Sequence, residues 1–206
     1  MAAKRPAKPR VLLIGASGTL GRAVDKELRA RHTVLGASRR GKLKVDLTDT
    51  ASIRRLFEAV GRVDAIACAA GNVHFGPLAD MGEAEFEIGL RDKLMGQVNL
   101  AQIGASYLTD GGSITLIAGI LAEQPIRFGA SASLVNGAIE AFVRAAALEL
   151  PRGLRINAVS PNVFAESMPA YGPYFRGFEA IPVARAAVAY SRCVEGAQTG
   201  QVYRVY

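Results

Sequence analysis

The sequence predicts an α/β protein in which one doubly wound parallel sheet forms a single domain. Short apolar runs alternate strictly with amphipathic helical segments from residue 11 to the last residues of the chain. Strands that are separated by helices lie parallel, and the helices then cover both faces of the sheet. The 206 residues, half of them apolar, are enough for one large core and fit a single domain better than two.

Seven strands and five helices are predicted in order along the chain. The short apolar runs predict strands at VLLIGA, HTVLGA, LKVDL, VDAIACAAG, GSITLIAG, LRINAVS and QVYRVY. Apolar residues at three- and four-residue steps predict helices at about residues 20–31, 50–60, 83–107, 131–150 and 184–194. An irregular aromatic segment spans residues 164–181. In the fourth helix the expected apolar stripe consists of Ala138, Ala141, Phe142, Ala145 and Leu148.

The net charge of +7 comes largely from the first ten residues. Lys4, Arg5, Lys8 and Arg10 supply four of the seven charges in a segment that has two prolines and no periodicity. We therefore expect a flexible basic tail at residues 1–9 and the folded domain at residues 10–206. The domain itself lacks the aromatic residues between arginines and lysines that mark a base-stacking surface. Nucleic acid is thus not an expected partner, and binding through the tail is the weakest hypothesis.

The sequence also predicts a cytoplasmic protein that does not enter a membrane. No apolar run approaches the roughly 18 residues of a membrane span, and the run VLLIG leads into a glycine loop rather than a signal-peptide cleavage site. Cys68 and Cys193 stand in no metal-binding or redox spacing. We expect no metal site and two reduced thiols.

The first predicted strand runs directly into GASGTLG, whose glycines open a helix. Glycines at such a turn let the backbone approach a pyrophosphate closely, and the free N–H groups at the start of the helix face the anion. The position after a strand and before a helix is what a dinucleotide-binding, Rossmann-type loop requires. The alternative is a purely structural loop. The residues predicted to bind the cofactor here are Gly15, Ser17, Gly18, Thr19, Leu20 and Gly21.

The end of the second strand predicts NADP rather than NAD. A carboxylate at this position would accept hydrogen bonds from the ribose hydroxyls of NAD, but this chain has Ser38, Arg39 and Arg40 there. A planar guanidinium matches the 2′-phosphate of NADP in charge and geometry. We therefore expect Ser38 and Arg39 to bind the cofactor; the alternative is that both arginines are only solvated loop residues.

Together these motifs resemble the short-chain dehydrogenase/reductase family along nearly the whole chain beyond the tail. The resemblance rests on GASGTLG, VDLTD, CAAG, GGSITLIAG, GAIEAFVRAAALEL, LRINAVSPNV and TGQVY. It implies that Asp46 and Leu47 flank the adenine, that Ala69, Ala70 and Gly71 lie along the ribose, and that the segment from Pro161 to Val163 meets the nicotinamide carboxamide. CAAG and SPNV replace the more usual NNAG and a Pro-Gly pair.

The larger departure from the family is catalytic. Members of the family use a Tyr as proton donor, a Lys four residues later that lowers the Tyr pKa and binds the ribose, a Ser, and an Asn on the preceding long helix. The matching positions here are Ala132, Asn136, Gly119 and Lys93, respectively. The last lysine is Lys93 and the first tyrosine is Tyr107, so no Tyr-x-x-x-Lys exists at any register. The family's usual mechanism, which needs this Tyr and Lys, is therefore excluded for this sequence.

Few residues remain as candidates for catalysis. Lys93 could be a relocated acid, since desolvation lowers the pKa of a lysine; alternatively it pairs with Asp92, Glu87 or a cofactor phosphate. Ser131 is a second candidate, although serines at a helix start more often cap the helix. Asn136 is a third and could also hold the ribose hydroxyls.

Two hypotheses from different classes follow. The first is an NADP-dependent oxidoreductase that acts on a small carbonyl or alcohol with a nonstandard acid. The second is a noncatalytic dinucleotide-sensing or scaffold protein that keeps the fold and the phosphate loop. By resemblance, the helices at residues 83–107 and 131–150 form subunit interfaces, which implies a homodimer or homotetramer.

Overall fold

The fold is organised around seven parallel strands in the order β3-β2-β1-β4-β5-β6-β7. The computed structural model describes residues 8–206, so most of the predicted tail lies outside the described residues. From β1 the chain builds outward to β3, and it then returns to the other side of β1 at β4. The strands are β1 (Arg10–Ile14), β2 (Thr33–Ser38), β3 (Leu43–Lys44), β4 (Val63–Cys68), β5 (Leu108–Ile117), β6 (Arg155–Pro161) and β7 (Val202–Val205).

Helices cover both faces of this sheet. Side chains alternate between the two faces of a strand, and in β1 Leu12 and Ile14 enter one buried cluster while Val11 and Leu13 enter the other. The predicted doubly wound fold is confirmed. The helices are α1 (Thr19–Arg29), α2 (Thr50–Val60), α3 (Glu83–Gly89), α4 (Gly96–Ala105), α5 (Ala130–Glu149), α6 (Met168–Tyr171) and α7 (Val183–Glu195). Within residues 8–206 no helix is long and apolar enough to cross a membrane.

The long helix predicted at residues 83–107 is interrupted. α3 ends at Gly89, a π-helical segment follows at Leu90–Met95, and α4 begins at Gly96. Both glycines are sites of close packing: a Cβ atom on Gly96 would stand 2.8 Å from Leu47 Cβ, and one on Gly89 would stand 3.2 Å from Ser131 Oγ. Glycine is also a poor helix former. Periodicity alone did not reveal this break, and π-helical segments frequently occur at functional sites.

α5 buries a different face from the one that the alanine-rich stripe predicted. Val135, Ile139 and Val143 are fully buried, the last two in the cluster that covers one face of the sheet, whereas Leu148 is 89% exposed. These three residues form a second stripe at four-residue spacing, and their larger side chains stabilise the fold more on burial than alanine does. The predicted stripe was therefore wrong as a core face, and part of it points outward.

The predicted strand LKVDL is limited to the two residues of β3. Asp46 ends the extended segment because its Oδ1 accepts hydrogen bonds from the Thr48 amide at 2.9 Å and the Thr48 hydroxyl at 2.7 Å. Such a side-chain turn replaces the strand ladder. Asp46 is thereby held at the carboxyl edge of the sheet.

Candidate functional site

A cavity of about 720 Å³ lies where the carboxyl ends of β1, β2, β4 and β5 meet. The strand order reverses between β1 and β4, and open α/β sheets bind ligands at such a switch point. Ile14, Ser38 and Ile117, the last residues of three of these strands, lie in the cavity wall. Its position makes the cavity the candidate functional site.

Most of the residues predicted to bind a cofactor lie on this wall. The wall includes Gly15, Ser17, Gly18, Leu20, Ser38, Arg39, Asp46, Leu47, Ala69, Ala70 and Gly71. The predicted residues that lie outside it are Thr19, Gly21, Asn136, Pro161 and Val163. Residues of the wall that were not among the predicted cofactor or catalytic residues are Ile14, Arg40, Val45, Asn72, Asp92, Ile117 and Phe164. The sequence did contain a signal for Asn72: it follows Gly71 shortly after β4, and residues at the carboxyl ends of parallel strands are expected near the ligand.

The glycine loop has the geometry of an anion cradle. Gly15 has a φ angle of +80°, and a Cβ atom there would stand 2.6 Å from the Ala69 carbonyl oxygen. α1 begins after Gly18 with no side chain capping it and no acidic residue in its first turn. Because the first N–H groups of a helix have no partner within the helix, they are available to an anion together with the positive end of the helix dipole. The loop therefore fits a cofactor pyrophosphate.

Gly21 makes this loop possible, although it is not on the cavity wall. It is buried on α1, and a Cβ atom there would collide with the carbonyl oxygen and carbon of Gly15. We expect Gly21→Ala to displace the loop, to destabilise the protein by about 1–3 kcal/mol as overpacking does, and to abolish the dinucleotide binding that the sequence predicts. Chemical denaturation and nucleotide titration measure these two effects.

Gly137→Ala is the matched control for this prediction. Gly137 also lies within a helix, but a Cβ atom there has no neighbour within 4 Å. Replacing it should leave binding unchanged and stabilise the protein by about 0.5–1 kcal/mol, the usual difference between glycine and alanine in a helix. Equal behaviour of the two variants would contradict the packing argument.

The part of the cavity wall that follows β2 carries positive charge. Arg39 and Arg40 lie exposed on its wall directly after β2, and neither has a carboxylate partner among the residues that the structure describes. Hydrogen bonds from Thr48, together with the nearby charge of Arg39, lower the pKa of Asp46. This part of the wall therefore has free guanidinium groups.

Lys93 lies on the cavity wall and belongs to the π-helical segment. Its Nζ donates to Asn136 Oδ1 at 2.6 Å and to the Ala118 carbonyl oxygen at 3.1 Å. Burial of the ammonium group lowers the Lys93 pKa to about 8, because desolvation disfavours the charged form. Near neutral pH Lys93 can therefore act either as a general acid or as a general base.

Lys93 does not form an ion pair with Asp92, the acidic residue beside it in the sequence. Asp92 instead accepts hydrogen bonds from the Asn72 amide at 3.2 Å and from Asn72 Nδ2 at 2.6 Å. Between residues 8 and 206, no carboxylate lies within salt-bridge distance of Lys93. Asp92 thus joins the loop after β4 to the π-helical segment and leaves the ammonium of Lys93 to neutral acceptors.

The other catalytic candidates lie away from the cavity wall. Ser131 is fully buried, and its Oγ has no hydrogen-bond partner in the described part of the chain. It does not cap α5, whose N-cap is Gly129. Ala132, at the position of the family's Tyr, is 2% exposed and packs in an apolar cluster with Ile120 and Phe175. The first turns of α5, residues 130–136, carry no acidic, basic or phenolic side chain.

Aromatic rings of the irregular segment pack over this apolar cluster. Phe75 lies 5.9 Å from Tyr171 and 5.8 Å from Tyr174, and Tyr174 meets Phe128 edge-on at 6.5 Å between ring centroids. Phe128 has a φ angle of +67°, and its carbonyl oxygen accepts a 3.0 Å hydrogen bond from the Gly76 amide. The rings of Tyr171 and Tyr174 therefore pack against other aromatic rings, while each residue stays 41% exposed.

Comparison with known proteins agrees with this geometry. A family model described as Enoyl-(Acyl carrier protein) reductase matches residues 16–203. Glucose and ribitol dehydrogenase homolog 2 of Arabidopsis thaliana is 27% identical over 154 residues, which are 71% of this chain and 53% of that protein. The chain spans about half the length of several of the curated relatives that it matches.

Two solved structures extend the comparison across nearly the whole chain. The protein lin1944 from Listeria innocua is 47% identical, with a TM-score of 0.95 over 96% of this chain and 100% of that one. A small-chain dehydrogenase in complex with NADPH is 28% identical, with a TM-score of 0.86 over 96% of both chains. Fold, site position and family match together identify this chain as a member of the short-chain dehydrogenase/reductase family.

Proposed function

We propose that the chain binds NADP(H) and interconverts a small carbonyl compound and its alcohol, with Lys93 as the proton donor. One observation carries this proposal: Lys93 lies on the wall of the cavity that begins at the glycine loop, and two uncharged acceptors hold its Nζ there. The cofactor supplies the hydride in such a reaction. The protein has to supply binding, orientation and the proton.

The residues that would bind the cofactor follow the course of the cavity. The glycine loop and the start of α1 suit the pyrophosphate, and Arg39 with Ser38 suits the 2′-phosphate that distinguishes NADP from NAD. A related structure contains NADPH, which supports the same choice. The remaining predicted contacts on the cavity wall are those of Asp46, Leu47, Ala69, Ala70 and Gly71, whereas the contacts predicted for Asn136, Pro161 and Val163 lie beyond the wall.

The ammonium group of Lys93 has enough protons to keep its two hydrogen bonds and to donate one proton to a substrate. In its ammonium form Nζ has three protons, of which two donate to Asn136 Oδ1 and the Ala118 carbonyl oxygen. The third is available to the oxygen of a carbonyl substrate during reduction. In the reverse direction, neutral Lys93 accepts the proton of the alcohol. The apolar cluster around Ala132 lies on the same helix as Asn136 and would favour substrates with apolar groups.

Nucleotide binding is tested by thermal unfolding with NADP, NADPH, NAD and NADH. A ligand that binds only the folded protein raises the melting temperature by an amount that grows with its affinity. We expect NADP and NADPH to raise it more than NAD and NADH do. If none of the four nucleotides changes the melting temperature, the proposal that this chain binds a dinucleotide is contradicted.

Turnover is tested separately by NADPH consumption across a panel of small aldehydes and ketones. Consumption with at least one compound is expected. Nucleotide binding without consumption would favour the alternative, a noncatalytic dinucleotide sensor or scaffold. The apolar surroundings of Ala132 are the observation on which that alternative rests.

We also infer a homo-oligomer in the cytoplasm. The outward face of α5 is rich in alanine and carries Leu134 and Leu148, which are 48% and 89% exposed, and exposed apolar patches mark protein contacts. Cys68 and Cys193 are both free thiols, which is typical of a reducing compartment. Sedimentation analysis distinguishes dimer from tetramer.

A further inference from the structure

Four residues lie together around the side chain of Lys93, and three of them replace residues that the family usually has. They are Gly71, Lys93, Gly119 and Asn136. We propose that Asn136 is a positioning residue that fixes Lys93 Nζ at the cavity wall, and that Gly71 and Gly119 provide the space for this pair. The inference rests on the role proposed above for Lys93, and it concerns how that role is made possible.

Asn136 is placed to restrain Lys93 and not merely to lie near it. The Asn136 side chain is 3% exposed and belongs to α5, while the Ala118 carbonyl directly follows β5. Their oxygens bind the same Nζ at 2.6 and 3.1 Å. A lysine side chain has four rotatable bonds and loses much freedom when it is held. Two acceptors on separate rigid elements select one of its many conformations.

Gly119 leaves room for the Asn136 amide. A Cβ atom on Gly119 would stand 3.0 Å from Asn136 Nδ2, closer than carbon and nitrogen ordinarily approach, so the amide would have to shift. The serine that the family usually has at this position would add a hydroxyl as well. The loss of that serine is therefore linked to the presence of Asn136 opposite Lys93.

Gly71 leaves room for the stem of Lys93. A Cβ atom on Gly71 would stand 2.5 Å from Lys93 Cγ, and the φ angle of +144° is one that side-chain-bearing residues rarely adopt. The chain after β4 thus passes directly over the lysine stem. A larger residue here would push the lysine away from its two acceptors.

Gln97 holds the backbone of the π-helical segment in register with β5. It is fully buried, its Nε2 donates to the carbonyl oxygens of Lys93 at 3.1 Å and Ile117 at 3.0 Å, and its Oε1 accepts from the Ile117 amide at 2.8 Å. All the polar atoms of the amide are used. The position of the Lys93 backbone is therefore set independently of Asn136, which acts on the side chain alone.

Most of the groups around the Lys93 ammonium are uncharged. Cys68 faces it from β4, and burial raises the pKa of that thiol to about 12, so it has no charge at ordinary pH. Asp92 is the nearest carboxylate in sequence, and its oxygens bind Asn72. A neutral amide therefore holds the cation, and a charge introduced at position 136 will change the Lys93 pKa strongly.

The test is an NMR titration of Lys93 in the protein without nucleotide. The protein is labelled with ¹³C and ¹⁵N in lysine, and the Lys93 signal is assigned by its loss in Lys93→Met. Asn136→Asp should raise the Lys93 pKa by about one to three pH units, since a carboxylate within hydrogen-bond distance favours the charged form. Asn136→Leu should lower it, because the charged form loses an acceptor.

Asn99→Asp is the matched control, because it makes the same substitution on the partly buried surface of α4. It should change the Lys93 pKa by less than about 0.3 pH units, as expected for a screened charge. If Asn136→Asp does not fold, Gly119→Ala replaces it: the added methyl group should displace the amide and lower the Lys93 pKa as Asn136→Leu does.

Opposite changes in the two Asn136 variants would support the positioning role. Changes no larger than that of Asn99→Asp would overturn it. The titration needs neither nucleotide nor turnover, so its result is independent of the proposed reaction. A positive titration with no NADPH consumption would overturn the oxidoreductase alone, whereas consumption with a negative titration would overturn the positioning role alone.

Discussion

Replacing Lys93 with methionine is expected to lower the rate of carbonyl reduction by about 10² to 10⁴, the usual contribution of a positioned acid, while NADPH affinity changes little. Methionine preserves much of the apolar stem that packs beneath Gly71 and removes the ammonium. Steady-state kinetics measure the first effect, and nucleotide titration of the variant measures the second. A fall in affinity of the same size as the fall in rate would assign Lys93 to cofactor binding instead.

Lys93→Arg is the informative control. A guanidinium group keeps the positive charge but does not release its proton in the working pH range. If Lys93 serves only as a cation, arginine should restore most of the rate. If Lys93 transfers a proton, arginine should fail as methionine does.

The pH dependence follows from the lowered pKa of Lys93. Reduction needs the ammonium form, so its rate should be constant at low pH and fall as the pH rises through about 8. Alcohol oxidation needs the neutral amine, so its rate should rise through the same pH and then level off. The two profiles must be mirror images, and a profile without an inflection near pH 8 would contradict proton transfer by Lys93.

Removing the guanidinium groups of Arg39 and Arg40 is the second large expected effect. In the double variant Arg39→Ala/Arg40→Ala, the affinity for NADPH should fall by about 10- to 100-fold, because hydrogen bonds to charged groups contribute roughly 1.5–3 kcal/mol. The affinity for NADH should stay within about twofold, since NADH has no 2′-phosphate. Isothermal titration with both nucleotides measures the difference.

Arg54→Ala provides the control for general electrostatics. Arg54 is exposed on α2 and is not part of the cavity wall. Its removal lowers the net charge by one without touching the site, so NADPH affinity should change by less than about twofold at physiological salt. If the double variant loses affinity for NADPH and NADH equally, the two arginines act through general electrostatic attraction and do not select NADP.

Much of the fold was predictable because its signals are local. The alternation of apolar runs and helical periods predicted a parallel sheet with two covered faces, and seven parallel strands confirm it. The interruption of the helix at residues 83–107 was not predictable in this way. At its two ends Gly96 lies against Leu47 and Gly89 lies against Ser131, contacts between segments that are distant in sequence.

The face buried by α5 shows the same limit. Its sequence contains both an alanine stripe and the Val135, Ile139, Val143 stripe, and each has helical spacing. Only the space beneath the helix decides between them, and that space takes the larger side chains. Sequence periodicity predicted the helix, but packing against the sheet selected its buried side.

By itself, the sequence determined that this protein has a dinucleotide-type loop at the start of an α/β sheet and no Tyr-x-x-x-Lys at any register. Both are matters of residue type and spacing along the chain. Only the tertiary structure decided that Lys93 meets Asn136, which lies 43 residues away, and the Ala118 carbonyl, which lies 25 residues away. The reason is physical: the pKa of a lysine depends on the water and charge that remote segments remove or bring, and those segments meet only when the chain folds.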